Sequence, residues 1–240
     1  MYRSIIIILM GLSIFVGQYA AAKENTFWVK SIGDRMDIIQ KGDLSGNILL
    51  EELKETPHLY AIGPVAGLQG EVTIYNSRLS VSTVVEDKPA VSEAFKGEAI
   101  FLIYASAPEW MTITTEETIH GLVALEAFVK EQAIMHNLQT EQPFPFRIEG
   151  IADEMTYHII FKSDDLPHNK QEHHKAKRKF DVKDQAVEII GFWVDKNRVG
   201  KLTHPGKRTH LHMQTPNNST SGHIDALKLT KGSVLYLPVR

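Results

Sequence analysis

The 240-residue sequence contains no cysteine, which excludes disulfides, thiolate metal sites, a cysteine nucleophile and a lipidated amino-terminal cysteine. Positive charge is not in excess either. Lys and Arg number 26 against 29 Asp and Glu, a formal net charge of −3, so no electrostatic footprint for nucleic acid is expected. The chain shows no nucleotide-binding glycine loop, no low-complexity linker and no internal repeat. Long apolar runs are scarce as well, and the one that stands out, Ile5 to Val16, is shorter than the roughly 20 residues needed to cross a bilayer.

That run follows Arg3 and precedes Ala20-Ala21-Ala22, the charged, apolar and small-residue order of a secretory signal. Residues 1–22 are therefore expected to form a signal peptide cleaved after Ala22. The mature protein would then be secreted or periplasmic, with no stable membrane insertion. An exported chain without disulfides must rely on its core, and what remains is long enough for one substantial domain or two small ones sharing an interface.

Short strand signals dominate. Tyr60 to Val65 and Gly70 to Val85 are rich in β-branched residues, with Asn76-Ser77-Arg78 suited to a turn between two strands. Ala99 to Ala105 and Val187 to Val194 resemble buried strands, and Ser233 to Leu237 a last short one. Arg147–Glu149 and Met155–Phe161 suggest two strands separated by Gly150. Ile48 to Leu53 fits one or two helical turns. A longer helix is expected to start at Thr114-Thr115-Glu116-Glu117 and run to about His136, because Ile119, Leu122, Val123, Leu125, Phe128 and Val129 recur at helical spacing. Ser163 to Lys179 is polar and basic, with no apolar face, so a solvated loop is expected, and the adjacent His173 and His174 would face apart. The fold class is α+β with mixed or antiparallel sheets and few helices. The prolines 143 and 145 suggest a division into an amino-terminal half, 23–142, and a β-rich, metal-binding carboxyl-terminal half, 143–240.

The chemistry concentrates between Thr203 and Leu229. Alternate side chains of a strand share a face, so His210 and His212 would project together. The cluster Pro216 to Gly222 favours reversal, which would return the chain as a hairpin and bring His223 beside them. Three neutral imidazoles on a rigid strand pair can hold a divalent ion and leave a coordination position open. His-x-His alone is weak evidence in a chain with 11 histidines, and a solvated strand carrying two of them stays a competing reading. A cupin-type oxygenase would need a glutamate shortly after the pair, where this chain has Thr215, Pro216 and Asn217. Glu71, at the start of a strand, would ordinarily be exposed.

Taken in order, Gly46-Asn47-Ile48-Leu49-Leu50-Glu51-Glu52-Leu53, Ala61-Ile62-Gly63, Gly67-Leu68-Gln69-Gly70-Glu71-Val72-Thr73-Ile74, Phe146-Arg147-Ile148-Glu149-Gly150, Gly191-Phe192, Pro205-Gly206, His210-Leu211-His212 and Gly222-His223 resemble the α-acetolactate decarboxylases over most of the mature chain. The resemblance implies a two-part fold of mixed sheets with flanking helices, a homodimer, and a zinc ion (Zn2+) on His210, His212 and His223 with Glu71 in the same pocket. It also implies a carboxy-lyase that converts a small 2-hydroxy-3-oxo acid, (S)-2-acetolactate, to (R)-acetoin and CO2. The sequence departs from the family pattern in two places. His158 stands where the family carries a substrate-contacting arginine, and the family's carboxyl-terminal glutamate has no counterpart ahead of Pro238-Val239-Arg240. Glu71 and His158 are the expected catalytic pair. An exported metal-binding protein that keeps the fold and has lost catalysis is the alternative.

Overall fold

The computed structural model describes residues 27–163 and 166–239, so the expected signal segment lies outside the described residues. In chain order the elements are β1 Trp28–Ile32, β2 Ile48–Leu49, β3 Leu59–Pro64, β4 Glu71–Tyr75, β5 Arg78–Val85, β6 Lys88–Ser92, β7 Glu98–Ala99, β8 Leu102–Ser106, β9 Trp110–Thr114, β10 Ile119–His120, α1 Gly121–Met135, β11 Phe144–Ile160, α2 Lys170–Lys175, β12 Lys177–Trp193, β13 Thr209–Gln214, β14 Ser221–Leu229 and β15 Val234–Pro238. The first sheet has the order β1-β8-β3-β4-β5-β6, and the second β10-β14-β13-β12-β11-β15-β9. An additional β11–β14 pairing closes the second sheet on itself. Every pairing is antiparallel, in keeping with the expected α+β class.

Alternation along β11 to β14 separates two cores. One face, with Tyr157, Ile159, Ile189, Leu211 and Met213, packs against Leu125, Val129 and Ala133 of α1. The other, with Ile160, Ile190 and Phe192, packs against Ile62, Phe101 and Ile103 of the first sheet. The chain passes from one sheet to the other between Ser106 and Trp110, so α1 belongs with the second sheet. This change falls ahead of the division at 142 and 143 that the prolines suggested.

The Gly70 to Val85 hairpin forms as expected, and Asn76 and Ser77 both take positive φ, as a two-residue primed turn requires. Four expectations need correction. Helix α1 starts at Gly121, because Trp110–Thr114 is drawn into a strand beside β15 and the Thr115 N–H bonds to the Ser233 carbonyl. Gly150 does not separate two strands. It stays paired with Val187 inside the single strand β11 because Ser233 packs where a side chain would project. Ile48–Leu53 is a two-residue strand followed by one 3-10 turn, Leu50–Leu53.

Of the segment expected to be a solvated loop, the described residues 166–179 are not one. Asn169 caps α2, whose buried His173 bonds to His168, and the basic run opens β12 with Lys177 opposite Ile160. Tertiary pairing along β11 overrides the local polarity.

Gly222 lies where β14 passes closest to β11. A Cβ there would sit 2.7 Å from the His158 carbonyl oxygen and 2.7 Å from the Tyr157 ring. Gly222→Ala should therefore displace the strand beside His223 and destabilise the protein by about 1–3 kcal/mol, as overpacking does. Denaturant unfolding measures this, and an unchanged midpoint would show that the close approach is not required.

Candidate metal centre

Strand pairing assembles the histidines. His212 on β13 lies directly opposite His223 on β14, and His223 lies opposite His158 on β11, so all three share the face that meets the first sheet. His210 joins them two residues before His212. A ligand nitrogen from each of His210, His212 and His223 lies within 4.8 Å of the others, and all three residues are buried. The loop between the strands is tied to the first sheet. Asn218, at φ 57°, donates from Nδ2 to the Leu79 carbonyl and to Glu93, and Ser80 bonds its Oδ1.

The partners of each ring select its tautomer. His210 Nδ1 is 3.0 Å from the Leu202 carbonyl and must donate to it, which leaves the Nε2 lone pair facing the cluster. His212 Nδ1 meets the Thr73 hydroxyl at 2.9 Å, while its Nε2 is buried without a hydrogen-bond partner. A buried nitrogen with no partner is costly unless something else completes it. His210 Nε2 and His223 Nδ1 are 3.1 Å apart, close to the roughly 3.3 Å between two nitrogens that each sit about 2.05 Å from one tetrahedral zinc. Burial holds these rings neutral. It lowers His210 to about 3, with His204 adding to the effect, and takes His212 and His223 well below the usual value. Neutral nitrogen donors converging on an orphaned atom fit a borderline divalent ion such as zinc.

Around the triad lie Glu71 and His158. Glu71 is buried, with Oε2 3.8 Å from His212 Nε2, Oε1 4.0 Å from His158 Nε2, and Oε1 accepting weakly from the Ile160 N–H at 3.4 Å. Desolvation pushes its carboxyl up to about 8, although the Ile160 N–H and Lys177 favour the carboxylate. His158 Nδ1 donates to Asp225 at 2.9 Å. Burial lowers the imidazole below its usual value, and Asp225 offsets part of that. A neutral His158 with its proton on Nδ1 turns an accepting Nε2 toward Glu71. His158, His223 and Asp225 form a second convergent group among the described residues, sharing His223 with the first.

One cavity contains Glu71, His158, His210 and His223 together with Arg35, His173, Lys177 and His204. Reading from sequence left out Thr73, Asp225, Arg35 and Lys177. Strand alternation signalled the first two, since Thr73 follows Glu71 by two residues on β4 and Asp225 follows His223 by two on β14. Nothing local marked Arg35 or Lys177.

A family model described as alpha-acetolactate decarboxylase matches residues 34–239. A search of curated proteins finds no match. Among solved structures, α-acetolactate decarboxylase from Bacillus subtilis strain 168 superposes with a TM-score of 0.74 at 15% identity, covering 88% of this chain and 86% of its own. Acetolactate decarboxylase from Bacillus subtilis subspecies spizizenii gives 0.73 at 14% identity, with coverage of 88% and 86%. A protein of unknown function from Staphylococcus aureus, described as similar to α-acetolactate decarboxylase, gives 0.69 at 14% identity with the same coverage. At such identities the likeness is one of fold.

Buried neutral histidines make stability depend on pH. An unfolded histidine binds a proton below about 6.5, whereas burial, with Lys177 and other neighbouring cations adding to it, holds folded His204 near 4 and His173 near 2. Below pH 6.5 the unfolded state then binds more protons, and stability falls with pH until the folded values are reached. Metal-free protein should lose thermal stability steadily from pH 7 to 5. His173→Gln should reduce that slope by up to about 1.4 kcal/mol per pH unit. A flat stability profile for the wild type would contradict the neutral burial.

Proposed function

This chain belongs to the α-acetolactate decarboxylase family, and from that premise we propose that it is a zinc-dependent decarboxylase of a 2-hydroxy-3-oxo acid, converting (S)-2-acetolactate to (R)-acetoin and CO2. The observation that carries the reading is the convergence of three neutral imidazoles beside one buried carboxyl, Glu71, at the wall of a cavity that His210, His223 and Glu71 line. His210, His212 and His223 would hold the ion. Zinc at that position supplies Lewis acidity toward adjacent hydroxyl and keto oxygens.

In the reaction the C1–C2 bond breaks, its electron pair passes toward the C3 oxygen, and one proton must be returned to C2. Glu71 is suited to return it, because burial keeps its carboxyl protonated near neutral pH. A divalent charge beside it would ease its ionisation, so that it can give the proton up. His158, kept neutral and oriented by Asp225, flanks Glu71 as a proton acceptor and does not supply the permanent fork-shaped charge of an arginine. Ile38, Phe101 and Ile160 supply the apolar part of the lining, which would limit the water that reaches the reacting carbon. Export with cleavage after Ala22 is part of the same proposal and is supported by the composition of residues 1–22.

Zinc-loaded protein incubated with racemic acetolactate should release acetoin and consume one enantiomer, and chelation should abolish turnover. Glu71→Gln should lower kcat about 10²- to 10⁴-fold, as loss of a general acid does, while zinc stoichiometry stays the same. Tight zinc binding without acetoin above the buffer rate would instead favour a metal-binding protein that has lost catalysis, the reading that His158 in place of arginine motivates.

His212→Ala removes the ring of the three whose Nε2 is buried without a hydrogen-bond partner. It should weaken zinc binding by at least about tenfold, read by competition with a chromogenic chelator. Undiminished affinity would place the ion elsewhere, with the group of His158, His223 and Asp225 the first place to look.

A further inference from the structure

The cavity holds two cations that the reaction outlined above does not use. Arg35 enters from the segment before Ile38, its backbone N–H fixed on the Lys201 carbonyl, and Lys177 opens β12 opposite Ile160. Both side chains are partly buried, and burial lowers the pKa of each. They lie close enough for each charge to be felt by the same groups: Arg35 acts on Lys177, and both act on His173 and His204. Neither head group makes a hydrogen bond or ion pair among the described residues.

The nearest acids act on them only at longer range, Asp225 and Glu71 on Lys177 and Asp34 on Arg35, and none forms an ion pair with either among the described residues. Asp225 is engaged by His158 Nδ1 and by Lys179 Nζ at 3.4 Å, and Glu71 lies against His158 and His212. Asp34, the sequence neighbour of Arg35, accepts from the Met36 N–H. The imidazoles of His158, His173, His204, His210 and His223 contribute no negative charge. Two partly buried positive charges with no ion-pair partner among the described residues therefore line a chamber otherwise formed by imidazoles, Glu71, Thr203 and apolar side chains. Leaving them so is unfavourable unless an anion occupies the chamber during function.

We propose that Arg35 and Lys177 form an anion subsite that grips the carboxylate of a small 2-hydroxy acid whose oxygens face the three-histidine group. The assignment of the ligand as a 2-hydroxy acid rests on the proposed function. The charge arrangement does not. In this chain the cation that orients the substrate carboxylate comes from β12 and from the segment before Ile38, while the β11 position carries the neutral His158. Arg35 and Lys177 are thereby specificity-determining residues.

The test uses the zinc-loaded full chain and two non-reacting probes, 2,3-dihydroxy-2-methylbutanoate and 2,3-butanediol, which share a vicinal diol and differ in the carboxylate. Calorimetry should show the acid bound at least about tenfold more tightly than the diol. Lys177→Met and Arg35→Met should each weaken the acid by about 10- to 100-fold, the range for losing a charged hydrogen bond, and leave the diol and the zinc stoichiometry unaffected. Lys177→Arg should restore the preference for the acid. Lys177→Gln keeps a polar side chain of similar length and serves if the methionine variant fails to fold.

An acid preference absent from the wild type, or unchanged in folded variants at both positions, overturns the proposal. If the preference is present and lost in the variants while acetolactate is not consumed, the decarboxylase reading fails and the anion subsite stands. If acetolactate is consumed with KM unaltered in both variants, the subsite fails and the decarboxylase reading stands.

Discussion

The register of one hairpin governs the site. His212 opposite His223, and His223 opposite His158, place three imidazoles on the face of the second sheet that meets the first. Because side chains alternate with a period of two, a slip of one residue on either strand would send its histidines into the core against α1. The loop 215–220 resists such a slip through Asn218, which is bonded to Leu79, Ser80 and Glu93 of the first sheet and its extension. Gly222 adds a steric constraint from the other side, because only a residue without a side chain lets β14 lie so close to β11.

The site also requires both sheets. The second sheet carries the imidazoles, and the first carries Glu71 and Thr73 on one face of β4. A boundary between two antiparallel sheets is ordinarily an apolar filling of interdigitated side chains. Here a stretch of it is polar instead, from Thr73 with His212 to Ser80 with Gln214 and Arg78 with Glu188. The Thr73–His212 and Ser80–Gln214 contacts are buried and partnered, whereas His212 Nε2 has no hydrogen-bond partner. The contrast is what identifies the histidine group as a place for something else to bind.

Much of this arrangement was legible from local chemistry. Two-residue alternation paired His210 with His212, turn residues implied the return to His223, and the same alternation would have joined Thr73 to Glu71 and Asp225 to His223 had it been applied there. Other features were hidden because long-range pairing decided them. The basic run from Lys175 looked like a solvated loop, yet Lys177 to Lys179 pair with residues 158–160 in the second sheet. The residues Thr114 to Glu117 carry helix-start chemistry, yet Trp110–Thr114 completes the sheet beside β15 and postpones α1 to Gly121.

The sequence by itself determined which side chains alternate, where the chain turns back and which family it resembles, because these depend on neighbours a few residues apart. Only the tertiary structure decided that Glu71 is buried beside His212, that the Nδ1 proton of His158 goes to Asp225, and that Arg35 and Lys177 enter the same cavity as the histidines. Those facts depend on dielectric environment and on contacts between segments 67 or more residues apart, and no local pattern records either.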